Sequence, residues 1–89
     1  MKEFPKPIKI KIFYDENLKG ITGKSSEVSM VSEGLSFANF LYFIFSSYPE
    51  IQRRFPPGKL GFLLNGKKPN EYDVLNGGDE LRFIGIEDK

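Results

Sequence analysis

Neither cysteine nor histidine occurs in this sequence. Their absence excludes thiol nucleophiles, imidazole bases, disulfides and the usual zinc sites. Any catalysis would rest on carboxylates, lysines or hydroxyls, and most of these fall in short, polar, Gly-rich stretches. Active sites instead need a cleft with perturbed titrating groups. An excess of one charge is also lacking. The formal net charge of +1 gives no general attraction to nucleic acid or to acidic membranes. There is no apolar run of membrane-spanning length, and Met1 to Pro7 lacks the apolar stretch of a signal peptide. The expectation is a cytoplasmic, non-enzymatic protein with no catalytic residues, no cofactor and no metal.

What is present suits one small domain over residues 1–89, with residues 1–7 a flexible lead-in and 87–89 a short tail. Apolar residues make up 39% and charged residues 28%, an ordinary globular balance. Ile8 to Tyr14 alternates, with Ile8, Ile10 and Ile12 on one face and Lys9, Lys11 and Phe13 on the other, which predicts a half-buried strand. Asp15 to Gly23, with Asn17, Gly20 and Gly23, reads as a turn region. Glu27 to Ser32 alternates again through Val28 and Met30, giving a second strand and a first hairpin.

The period then changes. Phe37, Phe40, Leu41, Ile44, Phe45 and Tyr48 follow the spacing of a helix face, with Ser36 as N-cap and an end near Ser47 before Pro49. Pro56-Pro57-Gly58 is a rigid turn. Leu60 to Leu64 is a short strand closed by Asn65-Gly66, a strong hairpin signal. Asp73-Val74-Leu75 is a shorter strand, Asn76 to Asp79 a turn, and Glu80 to Ile86 the last strand, with Leu81 and Phe83 on one face and Arg82, Ile84 and Ile86 on the other. One helix covers one face of such a sheet and leaves the other open. The order predicts an α+β ubiquitin-like β-grasp with a mixed sheet of four to five strands; another small α+β domain is the alternative.

From Ser36 onward the residues resemble one branch of that fold, the MoaD/ThiS sulfur carriers. "LSFANFLYFIFSSYPEI" is similar to the family's helix and its exit, here Tyr48-Pro49-Glu50. "FLLNGKKP" followed by "DVLNGGDELRFI" is similar to its strand, Asn-Gly turn, Leu-x-x-Gly-Asp-Glu turn and closing strand. The likeness runs roughly from Ile8 to Ile86, and its order and spacing carry it more than any one motif, since these are common turn chemistries. It implies that Gly77-Gly78 belongs to the turn before the last strand, not to a reactive tail. After the phenylalanine matched by Phe83, the family carries two prolines, a spacer and a terminal Gly-Gly. Here Gly85-Ile86 stand for the prolines, Glu87-Asp88 for the spacer and Lys89 for the first glycine. Since glycine lets a backbone approach a nucleotide closely, the resemblance implies that the adenylation and thiocarboxylation chemistry is absent.

Other candidates resolve into bland readings. Gly23-Lys24-Ser25 lacks the earlier glycine of a phosphate-binding loop, having Leu18 there, and precedes a strand rather than a helix. The pair Asp15-Glu16 and the trio Asp79, Glu80 and Glu87 read as solvated turn charges. The open sheet face is the candidate site. With the first and last strands adjacent at the centre, Lys9, Lys11 and Phe13 neighbour Arg82, Ile84 and Ile86. Apolar groups interleaved with cations suit a protein contact, while one aromatic offers little platform for nucleic acid. Tyr42 and Phe43, off the helix's apolar stripe, form a second candidate contact, unless one of them tucks against the Pro56-Pro57 loop.

The function expected is that of a ubiquitin-like docking partner. By resemblance, its larger protein partner is a synthase-type large subunit or an E1-like activating enzyme; no nucleic acid and no membrane is expected, and the chain alone is a monomer or weak dimer. The alternatives are a true sulfur carrier, a cosubstrate in molybdopterin or thiamin synthesis with an atypical tail, and an accessory subunit of a multicomponent enzyme.

Overall fold

The computed structural model describes residues 6–56 and 58–86. Period-two alternation sets β1 (Pro7–Tyr14), which buries Ile10, Ile12 and Tyr14 and points Lys9 and Lys11 to the other side. The chain then forms α1 (Glu16–Thr22), β2 (Ser26–Ser32), α2 (Phe37–Ser47), α3 (Pro49–Arg54), β3 (Leu60–Leu64) and β4 (Glu80–Gly85). The strand order is β2-β1-β4-β3. β1 runs antiparallel to β2 and parallel to β4, and β3 runs antiparallel to β4. The parallel central pair, with Phe13 opposite Arg82, closes the roll.

The core lies between the sheet and α2. Ile10, Ile12, Leu81 and Phe83 on the sheet meet Phe37, Phe40 and Ile44 on α2, and all are at most 5% exposed. Phe83 contacts the rings of Tyr14 and Phe62 edge-on, at 5.8 and 5.2 Å between centroids. Fully burying each such side chain is worth roughly 1.5–3 kcal/mol. The α2 stripe of Phe37, Phe40, Leu41, Ile44, Phe45 and Tyr48 is the one read from periodicity, and each member is buried or packed on the core. Ser36 caps the helix, its Oγ accepting from the Asn39 amide at 3.3 Å. The first two amides of α2 donate to the Asp73 and Glu71 carbonyls. The short strand expected at Asp73–Leu75 is therefore reduced to one isolated bridge, Ser36 with Val74, and a helix-capping loop.

Two helices depart from the sequence expectation. Asp15 to Gly23 is not a plain turn: Asp15 is the N-cap of α1, and Gly23 ends it in the left-handed region at φ 77°. Leu18, Ile21 and Thr22 carry helical spacing toward the core, but two turns are too short for periodicity to stand out from Asn17 and Gly20. Pro49 both stops α2 and starts α3, because a missing N–H costs nothing at the first helical position. Ile51, fully buried, holds α3 to the core.

The two glycine-bearing turns are stitched together. Asn65 and Gly66 have φ of 52° and 84°, the consecutive positive values of a two-residue reversal. The hairpin expected there stops after one bridge, Leu64 with Lys67, and β4 becomes the antiparallel partner of β3. The Asn65 side chain bonds the Glu80 amide and the Asp79 carboxylate. Gly78 sits at φ 90° and donates its N–H to the Lys9 carbonyl at 2.9 Å, guiding the chain into register beside β1. A Cβ on Gly77 would meet Ile8 at an ordinary 3.5 Å, so Gly78 is the member of the pair whose conformation demands glycine.

Candidate functional site

No helix covers the second face of the sheet; all three helices pack on the core side among the described residues. On this open face Phe13 of β1, Arg82 of β4 and Leu63 of β3 lie in one row across three strands. Lys11 Nζ sits 5.2 Å and Arg82 Cζ 5.1 Å from the centroid of the Phe13 ring, so two cations lie over the half-buried aromatic. Such contacts contribute about 0.5–1 kcal/mol each at exposed sites and order long side chains that would otherwise sample many rotamers. Ile84 follows one row along, half-buried opposite Gly61. A hollow of about 200 Å³ lined by Phe13, Leu63, Asn65, Gly66, Glu80 and Arg82 adjoins this row.

Of the six candidate residues, Lys11, Phe13, Arg82 and Ile84 come together. Lys9 stands at the far end of β1, opposite Met30, and Ile86 lies beyond β4 at 49% exposure. Four further residues share the face and were not picked out from the sequence: Leu63, Glu80, Val28 and Met30. Val28 and Met30 are each 57% exposed. Their alternation marks a strand in either orientation, and the register with Lys11 and Lys9 is what turns them outward. Glu80, read as a turn charge, is the first residue of β4 and sits across from Lys11, which adds an acid to a face read as cationic.

The carboxylates of the α1 entrance are structural. Asp15 is half-buried, its Oδ1 accepting from the Leu18 amide at 3.1 Å and its Oδ2 from the Gly85 amide at 2.9 Å, so it is not merely solvated. Asn17 Nδ2 donates to the Gly85 carbonyl at 2.7 Å. Gly85 itself passes beneath Phe55, where an added Cβ would lie 2.8 Å from the ring. Glu27, on the core side of β2, accepts from the hydroxyls of Tyr14 at 2.6 Å and Tyr48 at 2.9 Å. Burial, and then the hydrogen bond to Glu27, push the Tyr14 phenol far above its ordinary value, and Tyr48 is raised by the same causes in the same order. These phenols stay protonated and act as fixed donors. Asp79, at the other end of the sheet, accepts from Asn65 Nδ2 and the Asn76 amide.

Tyr42 and Phe43 are 74% and 55% exposed. Among the described residues, the side of α2 turned toward Gly58 carries Leu41 and Phe45 rather than Tyr42 or Phe43. Pro57 lies outside the described residues, as do residues 1–5 of the expected lead-in and Glu87, Asp88 and Lys89, on which the tail reading rests. Phe43 instead lines a groove of about 420 Å³ between α2 and β2. No helix among the described residues is long and apolar enough to cross a membrane.

No family model matches the chain, and no curated protein matches its sequence. Solved structures match its fold. The putative molybdopterin converting factor subunit 1 from Pyrococcus furiosus superposes with a TM-score of 0.80 at 15% identity, over 90% of this chain and 99% of that one. The chain is a ubiquitin-like β-grasp. The small archaeal modifier protein 1 of Haloferax volcanii gives 0.76 at 16% identity, over 90% of this chain and 99% of the other. Urm1 from Trypanosoma brucei gives 0.70 at 13%, over 92% and 95%. At such identities the likeness is one of fold, and these neighbours, a molybdopterin converting factor subunit among them, are of the kind to which the helix exit and the Leu-x-x-Gly-Asp-Glu turn point.

Proposed function

We propose that this β-grasp is a non-enzymatic partner protein that docks on a larger protein through its open sheet face, with Phe13, Ile84 and Leu63 as apolar anchors and Lys11 and Arg82 around them. The observation that carries this reading is the Phe13 ring with two cations over it, on a face without a covering helix among the described residues. Interface centres favour aromatics and Arg, and a preordered anchor loses little entropy on binding. Lys9, at the far end of β1, and Ile86, beyond β4, belong to the rim. The larger partner is of the synthase-subunit or activating-enzyme class, in keeping with the fold neighbours.

The test is a calorimetric titration of the purified chain against the E1-like activating enzyme and the synthase-type large subunit of its own source. Phe13→Ala and Ile84→Ala should each weaken binding roughly thirtyfold or more, the effect of truncating a buried anchor, with melting temperatures close to wild type. Lys9→Ala should act mainly on the association rate and its salt dependence. Wild-type affinity in both alanine variants would refute the face.

A second reading, a sulfur carrier, is favoured by the 0.80 TM-score to the molybdopterin converting factor subunit. Incubation with ATP, a sulfur donor and the activating enzyme separates the two. A mass gain equal to replacing one oxygen by sulfur at the terminal carboxylate establishes the carrier; an unchanged mass leaves the docking partner.

A further inference from the structure

The sheet has two edges, and they are guarded differently. β3 is five residues long, each half-buried, and it ends in a turn where Leu64 and Lys67 exchange backbone bonds of 2.7 and 3.0 Å. β2 is seven residues long and carries no proline, its pairing to β1 runs without a bulge, and no strand lies beyond it among the described residues. Natural edges are normally shortened, bulged or charged against pairing with another chain.

The phase of the ladder shows what this edge offers. Tyr14 N–H donates to the Ser25 carbonyl and Glu33 N–H to the Lys6 carbonyl, both at 2.8 Å. With the register running from Pro7 opposite Ser32 to Phe13 opposite Ser26, odd-numbered residues of β2 exchange bonds with β1. Even-numbered residues therefore turn their N–H and C=O outward. The Ser32 carbonyl accepts from the Leu35 amide; Ser26, Val28 and Met30 present the rest of the outward set.

We propose that two copies of this chain pair edge to edge through β2, antiparallel about a two-fold axis at Ser29, to form one continuous eight-stranded sheet. In the strand SEVSMVS, serines stand at both ends and at the centre, and the exposed apolar pair Val28 and Met30 is equidistant from Ser29, while Glu27 and Val31 do not match. Under that axis Ser26 meets Ser32 of the second copy, and Val28 meets Met30 of the second copy on the open face. The axis also brings no like charges face to face: Glu27 meets Val31, Glu33 meets Ser25 and Lys24 meets Gly34. The lysines opposite Val28 and Met30 on β1, Lys11 and Lys9, flank the apolar pair with their stems. On the helix side the incoming strand runs along the groove that holds Val31, Leu35 and Phe43. A foreign strand would satisfy the same backbone groups, but the self-complementary side-chain pattern selects a second copy. Phe13 and Ile84, on β1 and β4, stay open in this dimer, so the inference neither needs nor excludes the docking role.

The register gives the test. Sedimentation equilibrium over a concentration series should show wild-type chain in a monomer–dimer equilibrium. Val28→Lys with Met30→Lys places lysine against lysine twice and should raise the dissociation constant at least about tenfold. Val28→Lys with Met30→Glu places opposite charges together and should return it to within a few fold of wild type. Both positions are exposed, and matching thermal melts will show that the fold is intact. Ser29→Cys, the only cysteine in such a variant, should form a disulfide-linked dimer under mild oxidation. A non-hydrogen-bonded pair on the axis has Cα atoms about 4.5 Å apart, within disulfide range. Ser32→Cys, about 20 Å from its counterpart, should not link. A chain that stays monomeric up to about 1 mM, well above the range of specific association, overturns the inference. So does a dimer indifferent to the double lysine, or one that the lysine–glutamate pair fails to restore.

Discussion

The two faces of the sheet are built from alternate residues of the same strands, yet they differ in what surrounds each apolar group. Under α2, Ile10, Ile12, Leu81 and Phe83 belong to the buried core cluster and are inaccessible to water. One position along, Phe13 and Ile84 are half-buried, and the cations of Lys11 and Arg82 lie over the Phe13 ring. The core face of β1 and β4 is apolar throughout, whereas the open face sets its apolar groups among Lys9, Lys11, Glu80 and Arg82. β2 sharpens the point by reversing the usual rule. It turns Val28 and Met30 to solvent and puts Glu27 inside, where Tyr14 and Tyr48 donate to its carboxylate.

The largest expected effect breaks the contrast at its centre. Phe83→Ala should destabilise the fold by about 3–5 kcal/mol and Ile10→Ala by about 2–5, whereas Phe13→Ala and Ile84→Ala should cost far less stability and act on binding. Urea denaturation of the four variants measures this directly. If Phe13→Ala were as destabilising as Phe83→Ala, the two faces would be equivalent. Gly85→Ala comes next, because its Cβ would meet the buried Phe55 ring at 2.8 Å while Asp15 and Asn17 hold the backbone in place. A loss of about 1–3 kcal/mol is expected, as for other overpacked sites.

Smaller again is the contrast within the glycine pair. Gly78→Val places a β-branched residue at φ 90° and should cost about 1–3 kcal/mol. Gly77→Val, free of that constraint, should cost less, and a melting comparison ranks them. The smallest effect concerns pH. The raised Tyr14 phenol stays protonated in the folded chain, whereas its unfolded counterpart ionises near pH 10. The contribution is fully present below about pH 10 and is lost as pH rises beyond it, because unfolding then releases a proton. Tyr14→Phe should therefore melt with a shallower decline between about pH 9 and 11, the range that brackets the phenol's ordinary ionisation.

The sequence speaks clearly wherever one physical period runs long enough. β1, α2 and β4 appear where their alternation or helical spacing places them, β3 where a short apolar run meets its turn signal, and the face assignment of Ile10 against Phe13 follows from β1 alone. α1 and α3 were hidden because seven and six residues hold too few turns for a period to register. Their signals were the caps, Asp15 with Gly23 and Pro49 as a first helical residue. In the candidate site, Phe13 and Ile84 were legible from alternation on strands expected to be adjacent. Leu63, Val28 and Met30 were not, since their side depends on register across the sheet, and a short alternating run does not specify which face a fold will cover. The role of Gly85 depends on Phe55, thirty residues earlier in the chain, and no local pattern reports it.

The parallel pairing of β1 with β4 has a consequence in time. Its register partners, such as Phe13 and Arg82, stand far apart in sequence, and everything between them must be made before they can meet. During synthesis the β1–β2 hairpin can form early, with Ile10 and Ile12 facing out for want of Leu81 and Phe83. Closing so long a loop is slow compared with a hairpin or a helix. The nascent chain therefore waits, half a sheet with an apolar side exposed, until residues 80–85 clear the ribosome and the centre of the roll is filled last.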